Sequence, residues 1–518
     1  MSHSAGYPEL FPSDAYAAEH VVPASEKDYR SRTALLPVFF LTPVALSGVS
    51  MMGGGIPLLT DFSFVLLTVL CGIFLAAEFY NFPHRFGIGG LILFGGTLNW
   101  YCYDYLKHWY GADFTNPALP YGPSTCARAA FFVCVFVMMM TVGLNISKGQ
   151  WFSRLFARVP EPAQPNFFYW LAIALTLFGL SPYFWFVDQK PWEALYNELT
   201  GGPVYWMGGR TGNLNYNWSG YVANFIEIGK MGAVIAAYYA CMLRGSIIRK
   251  FICLAIWLFF LAVAYNTGRR GQIMFIAAPV AAMMFIRLQS NAVERQRPIS
   301  LMAYLLAGGM FIGAVFMMQI QGVYRGRGDL RDVDVSNVSL TDLQGNAMYS
   351  ESLAAYENIP FRRPYFYAFI PGGGVILPVP TVLFWGIIHP IPRALWHDKP
   401  VDPVWAWYNN LVTGENNLQG TTISTSITGW FYVRFGFFGV LEGGLLWGWM
   451  MRRAETALQL AEGRSMQILF SLAFMVWLFR CFRDVGYLEL VPLVLAAGAI
   501  WFFVRIFGIQ TVPRPQTL

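Results

Sequence analysis

Arginine is the residue type in this sequence best suited to chemistry, because pairs and runs of it stand between apolar segments. Arg269 and Arg270 occupy a turn flanked by Gly268 and Gly271, between two such segments. Guanidinium groups bind phosphate oxygens through paired hydrogen bonds, and bind them more strongly where water is excluded. Two adjacent guanidiniums held at a membrane surface would suit a lipid-linked diphosphate. The alternative is that both side chains only snorkel to lipid headgroups.

Other cations cluster on the same predicted side of the membrane. Arg325, Arg327 and Arg331 directly follow an apolar segment. We expect at least one of them to bind ligand, although interleaved aspartates could instead leave a solvated, neutralised face. Arg393 and Lys399 lie among prolines that stiffen the backbone. A rigid backbone would hold these cations in fixed positions to bind a ligand. The alternative is a structural loop held together by arginine–aspartate ion pairs.

Arg434 lies about two turns into a predicted apolar span, where a charge is costly and is usually paired or bound to a ligand. Arg480 and Arg483 place two more cations at the same predicted outer edge of the membrane. Trp396 belongs to a group of aromatic residues whose faces could stack on sugar rings or form an ordinary interfacial belt. Together these residues predict a site for a phosphorylated ligand that carries sugar.

An acceptor hydroxyl in such a site would require a general base within hydrogen-bond reach. The sequence does not rank the carboxylates on the predicted outer side, which are Asp398, Asp402, Glu351, Glu357 and Glu415. Glu227 and Lys230, three residues apart on a predicted helix, are expected to form a buried pair instead. The triplet at 332–334 is too short a match to predict a metal site, so neither metal nor cofactor is expected.

Several enzyme classes lack their signatures in this sequence. It holds no P-loop, no GxSxG, no HExxH and no dinucleotide-binding motif, which disfavours ATP-driven transport, serine hydrolysis and zinc proteolysis. The seven cysteines form no CxxC pair. Cys102 and Cys126 flank one predicted outer loop, where either a disulfide or two free thiols are compatible with the sequence.

The elements that position these residues are predicted to be membrane-spanning helices. The 518-residue chain is 56% hydrophobic and only 12% charged, whereas soluble domains are about a quarter charged. Apolar runs of about 18–25 residues recur, and each can cross about 30 Å of hydrocarbon. We predict an all-α polytopic membrane protein with about twelve spans. They lie at 34–52, 61–80, 87–102, 129–146, 167–186, 218–242, 251–266, 272–287, 301–319, 427–450, 465–482 and 488–507.

The distribution of lysine and arginine predicts the orientation of these spans. With the N-terminus inside, every short inner connection is basic, which is the usual bias of cytoplasmic loops. The net charge of +6 is largely accounted for by these loops, so nucleic acid is not an expected partner. Both termini are predicted to be cytoplasmic, in a bacterial inner membrane.

Four regions follow from this topology. Residues 1–33 form a cytoplasmic tail, 34–319 the first nine spans, 320–426 a large external loop, and 427–518 the last three spans with a short tail. Within the loop, 366–390 is apolar but interrupted by glycines and prolines, so we expect it to dip into the membrane without crossing. Irregular backbone at that depth requires cover from protein or a wet cavity.

The motifs in the second half of the chain resemble those of the O-antigen and oligosaccharide repeat-unit polymerase family. The similarity rests on the Gly-Arg-Arg-Gly turn at 268–271, Pro-Arg-x-Leu-Trp-x-x-Lys-Pro at 392–400, and Gly-x-Phe-Tyr-x-x-Phe-Gly at 429–436. A large outer loop between late spans also matches. The resemblance covers mainly residues 260–440, and this chain differs in its long N-terminal tail and unusually large loop.

This resemblance implies a GT-C-like, multi-span glycosyltransferase that moves a growing glycan from undecaprenyl diphosphate to a new lipid-linked repeat unit. Fixed guanidiniums would stabilise the charge that grows on the diphosphate leaving group. Arg270, Arg393 and Arg434 are the expected catalytic residues. The expected substrate-binding residues are Arg269, Arg325, Arg327, Arg331, Lys399, Trp396, Tyr432, Arg480 and Arg483. The lipid bilayer, a chain-length regulator and a flippase are the implied partners.

Three other functions compete with this interpretation. An O-antigen ligase-like enzyme would share the donor and differ only in the acceptor. A flippase for lipid-linked sugars would show pseudo-symmetric halves and charges at the bilayer midplane, whereas the cations here gather at one predicted face. A membrane acyltransferase would need an embedded histidine, and the histidines fall in loops or near the ends of spans.

Overall fold

The computed structural model describes the helical part of the chain and pieces of the predicted loop. The described residues are 35–81, 87–103, 105, 121–146, 151–162, 164–200, 204, 219–243, 245–266, 273–282, 353, 355–359, 368–370, 374–376, 378–388, 391, 396, 400, 402, 404, 407–408, 425–459, 461, 464–483, 485, 490–509 and 511. The predicted tail at 1–33, the predicted span at 301–319 and most of 320–426 lie outside them.

Helices make up almost all of the first half of the described chain. Several begin at or next to a proline, because the fixed φ of proline suits the first helical turn, where its missing N–H costs nothing. The helices are α1 (Leu36–Met52), α2 (Pro57–Asn81), α3 (Gly87–Thr97, continued by a π-helix at Leu98–Cys102), α4 (Pro123–Leu144), α5 (Trp151–Phe156), α6 (Pro165–Leu180), α7 (Pro182–Trp185), α8 (Pro191–Thr200), α9 (Ser219–Met242), α10 (Ile247–Asn266) and α11 (Ile273–Ala282).

The second half adds a small hairpin and four more helices. Strands β1 (Ala368–Ile370) and β2 (Gly374–Ile376) pair antiparallel, with Phe369 opposite Val375. The helices are α12 (Pro378–Ile388), α13 (Ser426–Gln459), α14 (Ser465–Arg480) and α15 (Leu490–Ile506). The hairpin and α12 occupy the segment predicted to dip into the membrane. At 11 residues, α12 is about 16 Å long and is too short to cross the hydrocarbon.

The predicted all-α class is confirmed apart from this hairpin, because the described residues are overwhelmingly helical. Four described stretches are long and apolar enough to cross a membrane, namely Pro57–Ala77, Pro123–Leu144, Asn166–Trp185 and Ile247–Tyr265. Shorter apolar helices accompany them in the described chain, including α1, α11, α14 and most of α15. The total number of spans and their orientation stay predictions.

The centre of the bundle is the crossing of α4 and α13, where glycines let the two backbones touch. A methyl group on Gly448 would lie 2.0 Å from the carbonyl oxygen of Met140, and one on Gly143 would lie 2.2 Å from that of Leu445. Gly444 and Gly448 form a GxxxG pair on α13. Small residues drive helix association in apolar surroundings by permitting this close approach. Both helices are therefore held at a separation that larger residues would not permit.

Helix α13 is interrupted at Gly436, whose backbone angles (φ 68°, ψ −156°) are not helical. The arm before the break, 426–435, folds against the arm after it, 437–459. The rings of Phe431 and Trp447 are 5.9 Å apart, although 16 residues of straight helix would separate them by about 24 Å. The backbone angles at the break are essentially restricted to glycine.

This break differs from the continuous span expected over 427–450. The arm 437–459 alone rises about 34 Å, which is long enough to cross the hydrocarbon without the preceding residues. The residues 426–435 therefore form a separate short helix packed on the bundle. Hydropathy did not reveal the break, because the apolar composition continues through Gly436.

Candidate functional site

Arg434, the last but one residue of the arm 426–435, forms an ion pair with a residue of the predicted external loop. Its Nη2 lies 2.5 Å from Oδ2 of Asp402. The arginine is 5% exposed and the Asp402 side chain 17%. The other carboxylate oxygen, Oδ1, accepts the backbone N–H of Val404 at 3.0 Å. Asp402 is thus held by its own loop while it holds the guanidinium.

An aromatic ring fixes the other side of the guanidinium. The Cζ of Arg434 lies 4.8 Å from the centre of the Trp430 ring, one helical turn earlier. Its Nε is buried and has no hydrogen-bond partner among the described residues. A guanidinium has five N–H donors, so a bound oxyanion could accept from donors that Asp402 does not use. Arg434 is therefore a buried cation whose position is fixed by a carboxylate and an aromatic ring.

The start of the same arm is tied to the bundle by a cluster of hydroxyl groups. The hydroxyl of Tyr356 donates to Thr428 Oγ1 at 2.9 Å, and those of Tyr101 and Ser426 lie 3.1 and 3.0 Å from the same atom. Ser426 has φ 58°, an uncommon conformation for a residue other than glycine, so it is strained. The cluster fixes the point where the loop enters α13.

A described piece of the loop, 355–359, docks against α4 and α13. The hydroxyl of Tyr432 donates to the carbonyl oxygen of Ile359 at 2.9 Å, and Arg128 Nη1 donates to that of Tyr356 at 2.6 Å. Tyr432 is fully buried. Its hydroxyl therefore anchors the loop, and the predicted contact of Tyr432 with substrate stays a prediction.

The end of α14 meets the start of α13. The N–H of Ile427 donates to the carbonyl oxygen of Phe482 at 3.1 Å, which places the turn after α14 beside the hydroxyl cluster. Arg480 lies in the last turn of α14 and Arg483 follows it, and both side chains are half-buried. These two predicted site residues thus belong to the same end of the bundle as Arg434. Trp396 is also half-buried.

The remaining predicted site residues lie outside the described part of the chain. They are Arg269, Arg270, Arg325, Arg327, Arg331, Arg393 and Lys399. Their convergence with Arg434 stays a prediction.

The structure also distinguishes between the outer carboxylates, which the sequence could not rank as partners in the site. Of the five outer carboxylates, Asp402 is the one that the described contacts bring to Arg434. The cost of burying a charge had indicated that Arg434 needs a partner, but not which one. The predicted Glu227–Lys230 pair is confirmed, with Lys230 almost fully buried. All seven cysteines lie in the described part of the chain and none forms a disulfide, so Cys102 and Cys126 are thiols.

No known protein family, curated protein or solved structure matches this chain.

Proposed function

We propose that this protein is an inner-membrane glycosyltransferase that polymerises oligosaccharide repeat units linked to undecaprenyl diphosphate. The observation that carries the proposal is the buried Arg434, fixed between Asp402 and Trp430 at the end of the bundle where the loop docks. The motif resemblance described above supplies the substrate class. Under the predicted topology this end faces the periplasm.

The proposed reaction breaks the bond between the anomeric carbon of the donor glycan and its diphosphate. A hydroxyl of the acceptor repeat unit forms the new glycosidic bond and loses its proton to a base. Negative charge grows on the departing diphosphate, so a guanidinium already in place stabilises the transition state without reorganising. Arg434 is suited to this role because Asp402 and Trp430 restrict its position before substrate arrives.

The loop provides the second element of the proposal. Asp402 lies two residues after the 392–400 motif, so the ion pair links that motif's segment to α13. The segment 355–359 is anchored by Tyr432 and Arg128. A loop docked in this way would cover the reacting groups and exclude water, which strengthens electrostatic interactions within the site.

The test incubates purified protein with a synthetic undecaprenyl-diphosphate repeat unit and follows chain length on a gel. We expect a ladder from the wild type. Arg434→Ala should slow extension by about 10²–10³-fold, the usual effect of removing one fixed donor to a developing oxyanion. Arg434→Lys should restore only part of the rate, because an ammonium lacks the planar fork.

Arg453 supplies a matched control on the same helix. It also follows a tryptophan by four residues, with its Cζ 5.5 Å from the Trp449 ring, and it is also buried. It lies on the other arm, beyond the break at Gly436. Arg453→Ala should therefore keep the ladder in protein that remains folded. Absence of extension by the wild type with any lipid-linked acceptor, or equal rates for Arg434→Ala and wild type, would overturn the proposal.

A further inference from the structure

A cavity of about 530 Å³ lies at the opposite end of the bundle from Arg434. Its wall combines the connection after α5, the start of α14, the last turns of α15 and the chain beyond them. The lining residues are Ala157, Arg158, Val159, Pro160, Glu161, Arg464, Trp501, Val504, Arg505, Gly508, Ile509 and Thr511. Its volume is in the range of sites for small molecules.

The chain beyond α15 reaches this cavity by pairing with the connection after α5. Pro162 and Thr511 form an isolated antiparallel bridge, and Gly508, Ile509 and Thr511 line the cavity. Arg464 is 7% exposed and its Nη2 donates to the carbonyl oxygen of Ala157 at 3.3 Å. The cavity is thus built by segments distant in sequence and has a buried guanidinium in its wall.

Positive charge predominates in the lining, because three arginines outnumber one carboxylate. Both oxygens of that carboxylate, Glu161, accept backbone N–H groups at the start of α14, from Ser465 at 2.9 Å and Met466 at 2.8 Å. Burial raises the pKa of Glu161 to about 7, although these two hydrogen bonds and the nearby Arg464 act to lower it. The carboxylate is therefore committed to capping α14, and near neutral pH its own charge is only partial.

Apolar surface continues from the cavity along the outside of α15. Trp501 is 52% exposed, and Phe502, Ile506 and Phe507 are exposed beside it. The Cζ of Arg505 lies 5.3 Å from the Trp501 ring. Tryptophan and arginine at the end of an apolar helix are typical of the membrane–water boundary. A ligand that enters from this side would meet apolar surface first and cations behind it.

We propose that this cavity binds the phosphate group of an anionic membrane lipid, with the acyl chains along the exposed face of α15. Arg158 and Arg505 contact the phosphate from the rim, and Arg464 contributes charge from the wall. Free phosphate shares this headgroup chemistry, but it would not use the apolar face. The site is remote from Arg434, so it goes beyond the proposed transfer reaction and does not depend on it.

The test measures lipid retained by the delipidated full-length protein in neutral detergent, by native mass spectrometry. Phosphatidylglycerol is titrated against phosphatidylcholine, whose headgroup has no net charge, and inorganic phosphate is titrated in a second series. We expect preferential, saturable binding of one phosphatidylglycerol. Each arginine near a lipid surface contributes about 5-fold in affinity, so the Arg158→Ala/Arg505→Ala double variant should lose about 25-fold.

Matched controls separate this site from general surface charge. Arg154 is an exposed arginine of α5 that does not line the cavity, so Arg154→Ala should keep the preference. Thr511→Glu adds an anion at the rim and should weaken binding, while Thr511→Gln should not. Equal loss in Arg154→Ala and the double variant, no lipid preference in the wild type, or binding of inorganic phosphate without lipid would each overturn the proposal.

Discussion

Removing Asp402 tests whether the ion pair at the loop positions the proposed catalytic arginine. The variants are Asp402→Ala, Arg434→Ala and their combination, which together form a double-mutant cycle. Asp402→Ala leaves an arginine that is only 5% exposed without its described carboxylate partner. Arg434→Ala leaves a carboxylate whose remaining described hydrogen bond comes from the N–H of Val404. In each single variant one charge loses its counter-charge.

The structure sets the size of the expected effect. Nη2 and Oδ2 are 2.5 Å apart, which puts the charge centres about 4 Å apart, and two unit charges at that distance attract by about 4 kcal/mol at an effective dielectric constant of about 20. Breaking a buried pair from one side generally costs about 3–5 kcal/mol, whereas removing both partners costs much less than the sum. The Trp430 ring, 4.8 Å from the guanidinium, still stabilises it in Asp402→Ala, so we expect the lower value there.

We therefore expect about 3 kcal/mol for Asp402→Ala, about 3–4 for Arg434→Ala and about 4 for the double variant, a coupling of about 2–3 kcal/mol. The assay is reversible unfolding in mixed micelles of mild and denaturing detergent. Arg452 and Glu455, a buried pair at 3.4 Å on the other arm of α13, give a matched cycle. That cycle should also show coupling in stability, but it should leave glycan extension unchanged.

Two outcomes would refute the reasoning. Additive single effects at Asp402 and Arg434 would mean that the pair carries no interaction energy. Asp402→Asn with the wild-type kcat for extension would mean that the carboxylate does not position the guanidinium for chemistry. A positioning role predicts a lower kcat with little change in KM, because the interaction acts mainly in the transition state.

Two further predictions concern the backbone of α13 and the pH dependence of stability. Gly436→Ala should destabilise the protein by about 1–3 kcal/mol and reduce glycan extension, because its φ of 68° and ψ of −156° disfavour any side chain. Gly498→Ala is the control, since a methyl group there would meet nothing within 4 Å. It should change neither stability nor extension in the same unfolding and gel assays. Because the folded pKa of Glu161 is about 7 against 4.5 for the free group, the folded state binds the proton more tightly. The contribution of Glu161 to stability should therefore be greatest below pH 4.5 and fall by about 3 kcal/mol as the pH rises to about 7. Glu161→Gln should flatten that slope in unfolding measurements from pH 4.5 to 8, and an unchanged slope would contradict it.

Helices could be located from the sequence because their apolar runs are long and end at polar residues. The span predicted at 218–242 corresponds to Ser219–Met242, and that at 465–482 to Ser465–Arg480. Hydropathy averages over many residues, so the single glycine that breaks α13 left no signal. The break depends on the backbone conformation of one residue, which the apolar composition of the segment does not reveal.

The arrangement of the candidate site could be predicted less well from the sequence, because it depends on contacts between residues that are far apart in the chain. The prediction that Arg434 is paired or liganded follows from the cost of a buried charge, and the pair with Asp402 confirms it. The identity of the partner depends on loop docking, which spacing does not encode. Tyr432 has a structural contact that its motif did not reveal, because its buried hydroxyl donates to the carbonyl oxygen of Ile359 and anchors the loop.

The break at Gly436 also determines where the loop could be exchanged between proteins. A transplant cut at Ser426, where the helix begins, would move Asp402 and leave Arg434 behind. Because the arm 426–435 packs against the bundle instead of extending the span, it belongs with the loop that precedes it. A chimera joined at Gly436 keeps the ion pair within one parent. The contact of Thr428 with Tyr101 and that of Phe431 with Trp447 then belong to the interface that the two parents must match.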